Sequence, residues 1–332
     1  MSTTITHFAG QPVGDATFEN LDHLLQLEMR PYGLTQGVIP HLYRLARPSG
    51  AAALSRQAAA EILYRPGVRV AIFTGLFIPD YMPHGETDGP LGAVVLARAL
   101  NRLGYTTTIV TEPEITGVVR GVAQVIGEDD IDVLDSSSHE TEEEALAFAS
   151  GVSLGIAIEK LGVNSRGVRH TVGGNAVVTG DPWAETCIEA IRRQGGYTVG
   201  IGDNGNEIGF GGIAPLIRSL VPRGETCRCG CGDGIVTAQG TDLVVPCAVS
   251  NYGGYAITAA LACLAERPDL LVTGDEVERM LRRALDLGCV NGGLEEDGFV
   301  GDDGVPLDAA IAYVTLIATV ARQYFVRVGD HH

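Results

Sequence analysis

Gly67-Val-Arg-Val-Ala-Ile-Phe-Thr74, then a loop from Gly75 to Gly89, then a run opening at Pro90 and lasting to about Leu103, decides how this chain folds. The first segment is short, apolar and β-branched, as expected of a strand buried on both faces. Proline at the first helical turn forfeits no hydrogen bond, so Pro90 marks a helix start. The same alternation continues downstream. Strands are expected at Tyr105–Thr111, Ile131–Asp135, Val152–Ile158, Tyr197–Ile201 and Leu243–Val249. Helices are expected from about Glu114, over Glu140–Ala149, Trp183–Gln194 and Tyr252–Glu266, and around Glu276–Leu287 and Leu307–Val326. Strands separated by helices pair in parallel, with the helices on both faces of the sheet. Upstream, Phe18 to about Tyr64 has a helical period, broken at Arg47-Pro-Ser-Gly50. The expectation is an α/β fold with a mostly parallel sheet. Residues 1–66 are expected to form an N-terminal helical extension packed on the core, and 67–332 the α/β domain.

The 332 residues can bury a large core, and 45% hydrophobic residues with 44 glycines fit a compact fold with many tight turns. Against 23 basic residues stand 41 acidic ones, a net charge of −18, which disfavours nucleic acid as a partner. Lys160 is the one lysine, so a Schiff base has a single candidate and arginine is the expected grip for carboxylates. Met1 to Leu21 lacks a basic region followed by an apolar run, and no stretch reaches the ~18 apolar residues of a membrane span. Seven cysteines in a long chain then read as reduced thiols, and the expected location is the cytoplasm, with no membrane partner.

Four glycine-rich segments draw attention, three of them at C-terminal ends of expected strands, where open α/β sheets bind ligands. In Gly85-Glu-Thr-Asp-Gly-Pro90, Glu86 and Asp88 are spaced to share one Mg²⁺ or Mn²⁺; Thr87 or Asp88 can equally cap the following helix. Gly200-Ile-Gly-Asp-Asn-Gly-Asn-Glu207 spells G-x-G-x-x-G, so a nucleotide site using Gly200–Gly205 is an alternative. Asp203 and Glu207 put negative charge where a pyrophosphate would lie, and no acidic residue ends a next strand at the right distance. A small ligand or metal, with Gly202 and Gly205 allowing close approach and Asp203, Asn206 and Glu207 as polar contacts, suits the segment better. Ser250-Asn-Tyr-Gly-Gly254 offers Asn251 as a substrate contact or helix cap, with Gly253 giving backbone access. The acidic run Asn291–Val305 lacks the spacing of a calcium loop and reads as a solvated turn as readily as a site.

Cys227-Arg-Cys-Gly-Cys231 lacks the C-x-x-C spacing of structural zinc sites, and no histidine follows nearby, so packing thiols are expected. Gly151-Val-Ser-Leu-Gly155 spells G-x-S-x-G, yet Ser153 falls within an expected strand rather than at a strand-to-helix elbow. His84, His139 and His170 have no local partner that marks a base.

Taken in order, Glu86-Thr-Asp-Gly-Pro-Leu-Gly-Ala93, Ala157-Ile-Glu-Lys160, the stretch from Thr198 to Gly211 and Val249-Ser-Asn-Tyr-Gly-Gly-Tyr255 resemble the D-glutamate cyclase family. A looser match covers Gly298–Val305. Asn204 stands where the family pattern has glycine, and Tyr252 where it has tryptophan. The resemblance implies conversion of D-glutamate to 5-oxo-D-proline with loss of water and without ATP. The expected assignment is Asp203, Glu207 and Glu86 as catalytic groups, and Glu86, Asp88, Asp203 and Glu207 as ligands of a divalent Mn or Mg. Asn206, Asn251, Gly202, Gly205 and Gly253 are expected to bind substrate, a small amino acid or lactam. A metal-dependent hydrolase of a related lactam or amide is the same chemistry reversed, and a homo-oligomer is compatible with the sequence.

Overall fold

A computed structural model of the chain describes residues 13–31, 36–136, 141–178, 183–292 and 298–326. Helices α1 (Val13–Leu25), α2 (Ile39–Ala46) and α3 (Leu54–Leu63) lead into strand β1 (Arg69–Thr74). Then come α4 (Pro90–Arg102), β2 (Thr106–Thr111), α5 (Pro113–Val125), β3 (Asp132–Asp135), α6 (Glu142–Ala149) and β4 (Leu154–Ile158). A short hairpin of β5 (Arg169–His170) and β6 (Ala176–Val177) precedes α7 (Trp183–Arg193), β7 (Tyr197–Gly202), the one-turn α8 (Ala214–Ile217) and β8 (Leu243–Pro246). The chain ends with α9 (Ser250–Leu264), α10 (Gly274–Asp286), a second hairpin of β9 (Gly301–Asp302) and β10 (Val305–Pro306), and α11 (Leu307–Gln323).

Six strands form one sheet in the order β3-β2-β1-β4-β7-β8, and every neighbouring pair is parallel. The two hairpins are antiparallel and separate from it. Alternation along each strand assigns its residues to two layers. Val70 and Ile72 of β1 join the core shared with α4, α9 and α11, whereas Ala71 and Phe73 face Trp183 and Ile188 of α7. Phe18, Leu21 and Leu25 of α1 and Leu54, Ala58 and Ile62 of α3 belong to the larger of these cores, so the N-terminal helices share the sheet's own packing. Asp22 joins them: its buried carboxylate accepts from Tyr43 Oη and from the backbone N–H groups of Leu54 and Ser55 at the start of α3.

The strand order runs outward from β1 to β3 and then returns to β4, so the winding reverses between β1 and β4. Crevices at such a reversal, beyond the C-terminal strand ends, are where doubly wound sheets bind ligands. The register sets those ends level, Thr74 opposite Ile158 and Ile158 opposite Ile201. The loops leaving β1, β4 and β7 therefore emerge side by side. Ser153 sits at the entrance to β4, at the opposite end of the sheet from these loops. His139 and residues 293–297 of the acidic run lie outside the described residues.

Candidate active site

At the level strand ends lies a cavity of about 650 Å³, walled by acidic side chains on one side and by the β5–β6 hairpin on another. Glu86 and Asp88 reach it from the loop after β1, Glu159 from the residue after β4, Asp203 from the residue after β7, and Asp303 from the β9–β10 turn. Glu207 and Asp302 stand just behind. All seven carboxyls are buried.

Two helix N-termini are locked together beneath this cluster. The Asp88 carboxylate accepts from the backbone N–H groups of Ser250 (2.8 Å) and Asn251 (2.6 Å), capping α9, and also from Gly89 N–H (2.9 Å) at the start of its own helix. In return, Asn251 Oδ1 accepts from the N–H groups of Gly89 (3.0 Å) and Gly92 (2.7 Å), capping α4. Such close approach requires glycine: a Cβ on Gly92 would lie 2.8 Å from Asn251 Cα, and one on Gly254 2.8 Å from the Gly92 oxygen. The positive ends of both helix dipoles thus face the acids.

This geometry corrects the expected role of Asn251. Its Nδ2 donates to the Thr87 carbonyl and to Asp302, its Oδ1 is doubly engaged, and no amide donor or acceptor is left for substrate. Ser250 to Gly254 are the first turn of α9, not a loop, and Gly253 lies against the sheet, where a Cβ would meet Ile201 at 2.3 Å. Gly202 likewise serves packing, with Glu207 and Phe210 within 3 Å of a hypothetical Cβ. Gly205 supplies the left-handed turn (φ +88°) that folds the loop back. Inside that turn the Glu207 carboxylate accepts from the N–H groups of Asp203, Asn204 and Gly205. The nucleotide alternative loses its support here. Gly200 abuts the backbone of Ile208, and no helix opens until the one-turn α8 at Ala214, so no helix N-terminus follows the glycines to hold a pyrophosphate.

Asn206 does face the cavity. Its Nδ2 donates to the His170 carbonyl at 2.8 Å, and its buried Oδ1 has no hydrogen-bond partner among the described residues. Lys160 does not line the cavity; it is paired with Glu112 and the Gly75 carbonyl.

Four residues of the site are assigned no role by the sequence: Arg30, Glu159, Asp302 and Asp303, the last three lying in segments of the family resemblance. Arg30, just after α1, bonds both Asp203 and Asp303. Ser250 Oγ donates to Glu159 at 2.5 Å. Asp302 and Asp303 come from the run that reads as readily as a solvated turn, yet Asp302 is fully buried. Glu159 (φ +45°) and Asp303 (φ +46°) adopt left-handed backbone, a strain that side chains other than glycine tolerate only where the surroundings enforce it.

Crowding dominates the electrostatics. Burial pushes the Glu86, Asp88, Glu159, Glu207 and Asp303 carboxyls well above the ordinary range. Neighbouring negative charges push the same way, opposed by Arg30 at Glu86 and Asp303. Burial likewise lifts Asp302 to about 8. A cluster of this kind stays buried only if it is partly protonated or neutralised by cations. Two sets of carboxylate oxygens lie within 4.8 Å of one another: Asp88, Asp203 and Asp303, and Glu159, Asp203 and Glu207. Asp203 belongs to both. Hard oxygen donors at this density suit Mg²⁺ or Mn²⁺.

Among the described residues no helix is long and apolar enough to cross a membrane. Of solved structures, an exopolyphosphatase-related protein from Bacteroides fragilis is 10% identical over 84% of this chain and 59% of that one, with a TM-score of 0.36, too distant to bear on fold or function. Mitochondrial D-glutamate cyclase from Homo sapiens is 28% identical over 206 residues, 56% of this chain, and the chain spans 31% of that protein's length. The sequence profile described as D-glutamate cyclase-like, C-terminal, matches residues 35–315. With that much of its length matched, the chain belongs to the D-glutamate cyclase-like family.

Proposed function

We propose that this chain closes D-glutamate, or a related amino acid, to a lactam such as 5-oxo-D-proline, releasing one water with the aid of a divalent Mn or Mg. The observation that carries the reading is the convergence of Glu86, Asp88, Glu159, Asp203 and Asp303 on one cavity in a chain of this family.

In the reaction the α-nitrogen bonds to the side-chain carboxyl carbon, one C–O bond breaks, and the substrate ammonium supplies both protons of the departing water. Ring closure is intramolecular, and well-oriented closures reach effective molarities on the order of 10⁵ M or more, so positioning is a large part of the task. The substrate carboxylate is a poor electrophile until its charge is neutralised. Asp88, Asp203 and Asp303 would hold a divalent ion, with Glu159 and Glu207 around the shared Asp203, and the bound ion would supply that neutralisation. Asn206 lines the cavity, and its buried, unpartnered Oδ1 would accept from the substrate amine. Glu86, whose carboxyl holds its proton unusually tightly, is suited to donate to the departing oxygen. Asp203 is suited to take a proton from the attacking nitrogen. Arg30 sets the charge balance of Asp203 and Asp303.

The reverse reaction, hydrolysis of a related lactam or amide, would use the same groups in reversed roles. Incubating the purified chain with a panel of D- and L-amino acids and lactams, in Mn²⁺, Mg²⁺ or EDTA, separates the directions by mass. Loss of one water from D-glutamate that EDTA abolishes is the expected result; an inert panel would sink the proposal.

A further inference from the structure

A second group of ionisable side chains lies outside the carboxylate cluster. His170, at the end of β5, is fully buried, and its Nε2 sits 3.2 Å from Cys229 Sγ and 3.8 Å from Cys231 Sγ. Cys227 Sγ is 3.2 Å from Cys229 Sγ and 3.5 Å from Cys231 Sγ, and all three cysteines are free thiols. The four ligand atoms lie within 4.8 Å of one another. Around a tetrahedral zinc with Zn–S ~2.3 Å, neighbouring ligand atoms are ~3.5–3.8 Å apart. The spacings fall close to the edges of that tetrahedron. Four thiol and imidazole groups converging from segments 57 residues apart are far from what van der Waals packing of a surface loop requires.

We propose that His170, Cys227, Cys229 and Cys231 form a structural zinc site. The donors are three sulfurs and one imidazole, a set that selects zinc over the hard cations suited to the carboxylates. All four positions are taken by protein, so the site is closed and supports no chemistry of its own. The C-x-C-x-C spacing works because Gly230 (φ +78°) and Gly232 (φ +85°) turn the chain left-handed after Cys229 and after Cys231, curling three sulfurs around one point. Asn164 Nδ2 adds an N–H···S bond to Cys231 at 3.4 Å, the kind of outer support that orients a thiolate ligand. His170 Nδ1 has no hydrogen-bond partner among the described residues, so the ring is held by its packing and by the sulfurs.

The ion would staple the β5–β6 hairpin to the loop at Cys227. Those two segments otherwise meet through Arg228 N–H donating to the Gly174 carbonyl at 2.8 Å. The hairpin supplies Thr171, Asn175 and Val177 to the cavity wall, and the His170 carbonyl holds Asn206. Zinc here would fix one wall of the candidate active site from behind.

The test is metal analysis of the whole chain, purified without a histidine tag or chelator. About one zinc per chain is expected, falling to less than about a tenth in Cys229→Ser and Cys231→Ser and persisting in Asp203→Asn, which alters only the carboxylate cluster. The cobalt-substituted wild-type chain should show thiolate-to-metal charge transfer and the intense ligand-field bands of tetrahedral cobalt, a readout that does not depend on the variants folding. Zinc-free protein that takes up no zinc, a disulfide among the three cysteines, zinc retained by both serine variants, or cobalt without thiolate bands would each overturn the assignment.

Discussion

The carboxylate cluster and the Cys/His cluster meet at His170, whose carbonyl holds Asn206 of the first and whose imidazole belongs to the second. They are built in opposite ways. The carboxylates come from the loops after β1, β4 and β7 at the level ends of the sheet and from the β9–β10 turn, with Asp88 held by the crossed helix caps. The Cys/His cluster takes three of its four members from five consecutive residues in a segment with little regular structure. The first is crowded with like charge and strained backbone, as expected where function rather than stability sets the arrangement. The second consists of mutually compatible ligands and carries no such conflict. In the proposed roles, the site that would bind and react draws on strand ends far apart in sequence, whereas the staple draws mainly on one local segment.

The comparison breaks most visibly if the carboxylates are merely structural. Asp203 belongs to both oxygen triads, so Asp203→Asn should lower lactam formation by about 10²-fold or more, the usual scale for a positioned electrostatic group. The metal-free variant should still fold and melt higher than the wild type, because one crowded negative charge is gone; a variant that unfolds, or one that keeps full turnover, contradicts the account. Arg30 is the counterweight. Arg30→Ala leaves Asp203 and Asp303 without their guanidinium and should cost the metal-free chain about 3 kcal/mol, measured by denaturant unfolding, with a smaller loss once Mn²⁺ is added. An equal loss with and without metal would mean the ion does not replace the guanidinium.

The sheet is legible in the sequence because most of its strands, β1 and β4 above all, are short apolar runs buried on both faces. Glu86, Asp88 and Asp203 are legible because they follow such strands among glycines. What the sequence hides is whatever depends on distant segments meeting. Asp88 and Asn251 look like caps of their own helices, and only the docking of α4 on α9 through Gly92 and Gly254 shows that each caps the other's. Glu159 reads as the polar end of an apolar strand. Asp302 and Asp303 sit in an acidic run that reads as a solvated turn as readily as a site, and only the folded hairpin brings them inward. His170 lies 57 residues before Cys227, so no local spacing announces it.

Crossed capping gives a smaller, sharper test. Asn251→Ala removes the α4 cap and two further hydrogen bonds and should cost about 2–3 kcal/mol of stability, while its direct effect on substrate affinity stays small. A large rise in KM with stability intact would return Asn251 to substrate contact. A further effect is expected in pH. The folded, metal-free chain holds protons on its buried carboxyls more tightly than the unfolded chain, whose carboxyls release theirs near about pH 4. The stability these groups contribute is therefore full below that pH and lost as pH rises toward the folded values, about 8 for Asp302. Melting temperature should fall between about pH 5 and pH 8 without metal, and saturating Mn²⁺ should flatten the slope, since ligation requires the ionised form. A flat profile without metal would show that the cluster is not crowded in solution.

The most direct measurement follows the oxygen that must leave. D-Glutamate carrying heavy oxygen in both side-chain carboxyl positions is incubated with the chain and Mn²⁺, and products are weighed by mass spectrometry. The expected result is a lactam bearing one heavy oxygen and water bearing the other, with formation abolished by EDTA and cut by about 10²-fold in Asp203→Asn. No lactam, or a lactam formed equally well in EDTA, would contradict the assignment of the buried carboxylates as a metal-assisted cyclisation centre.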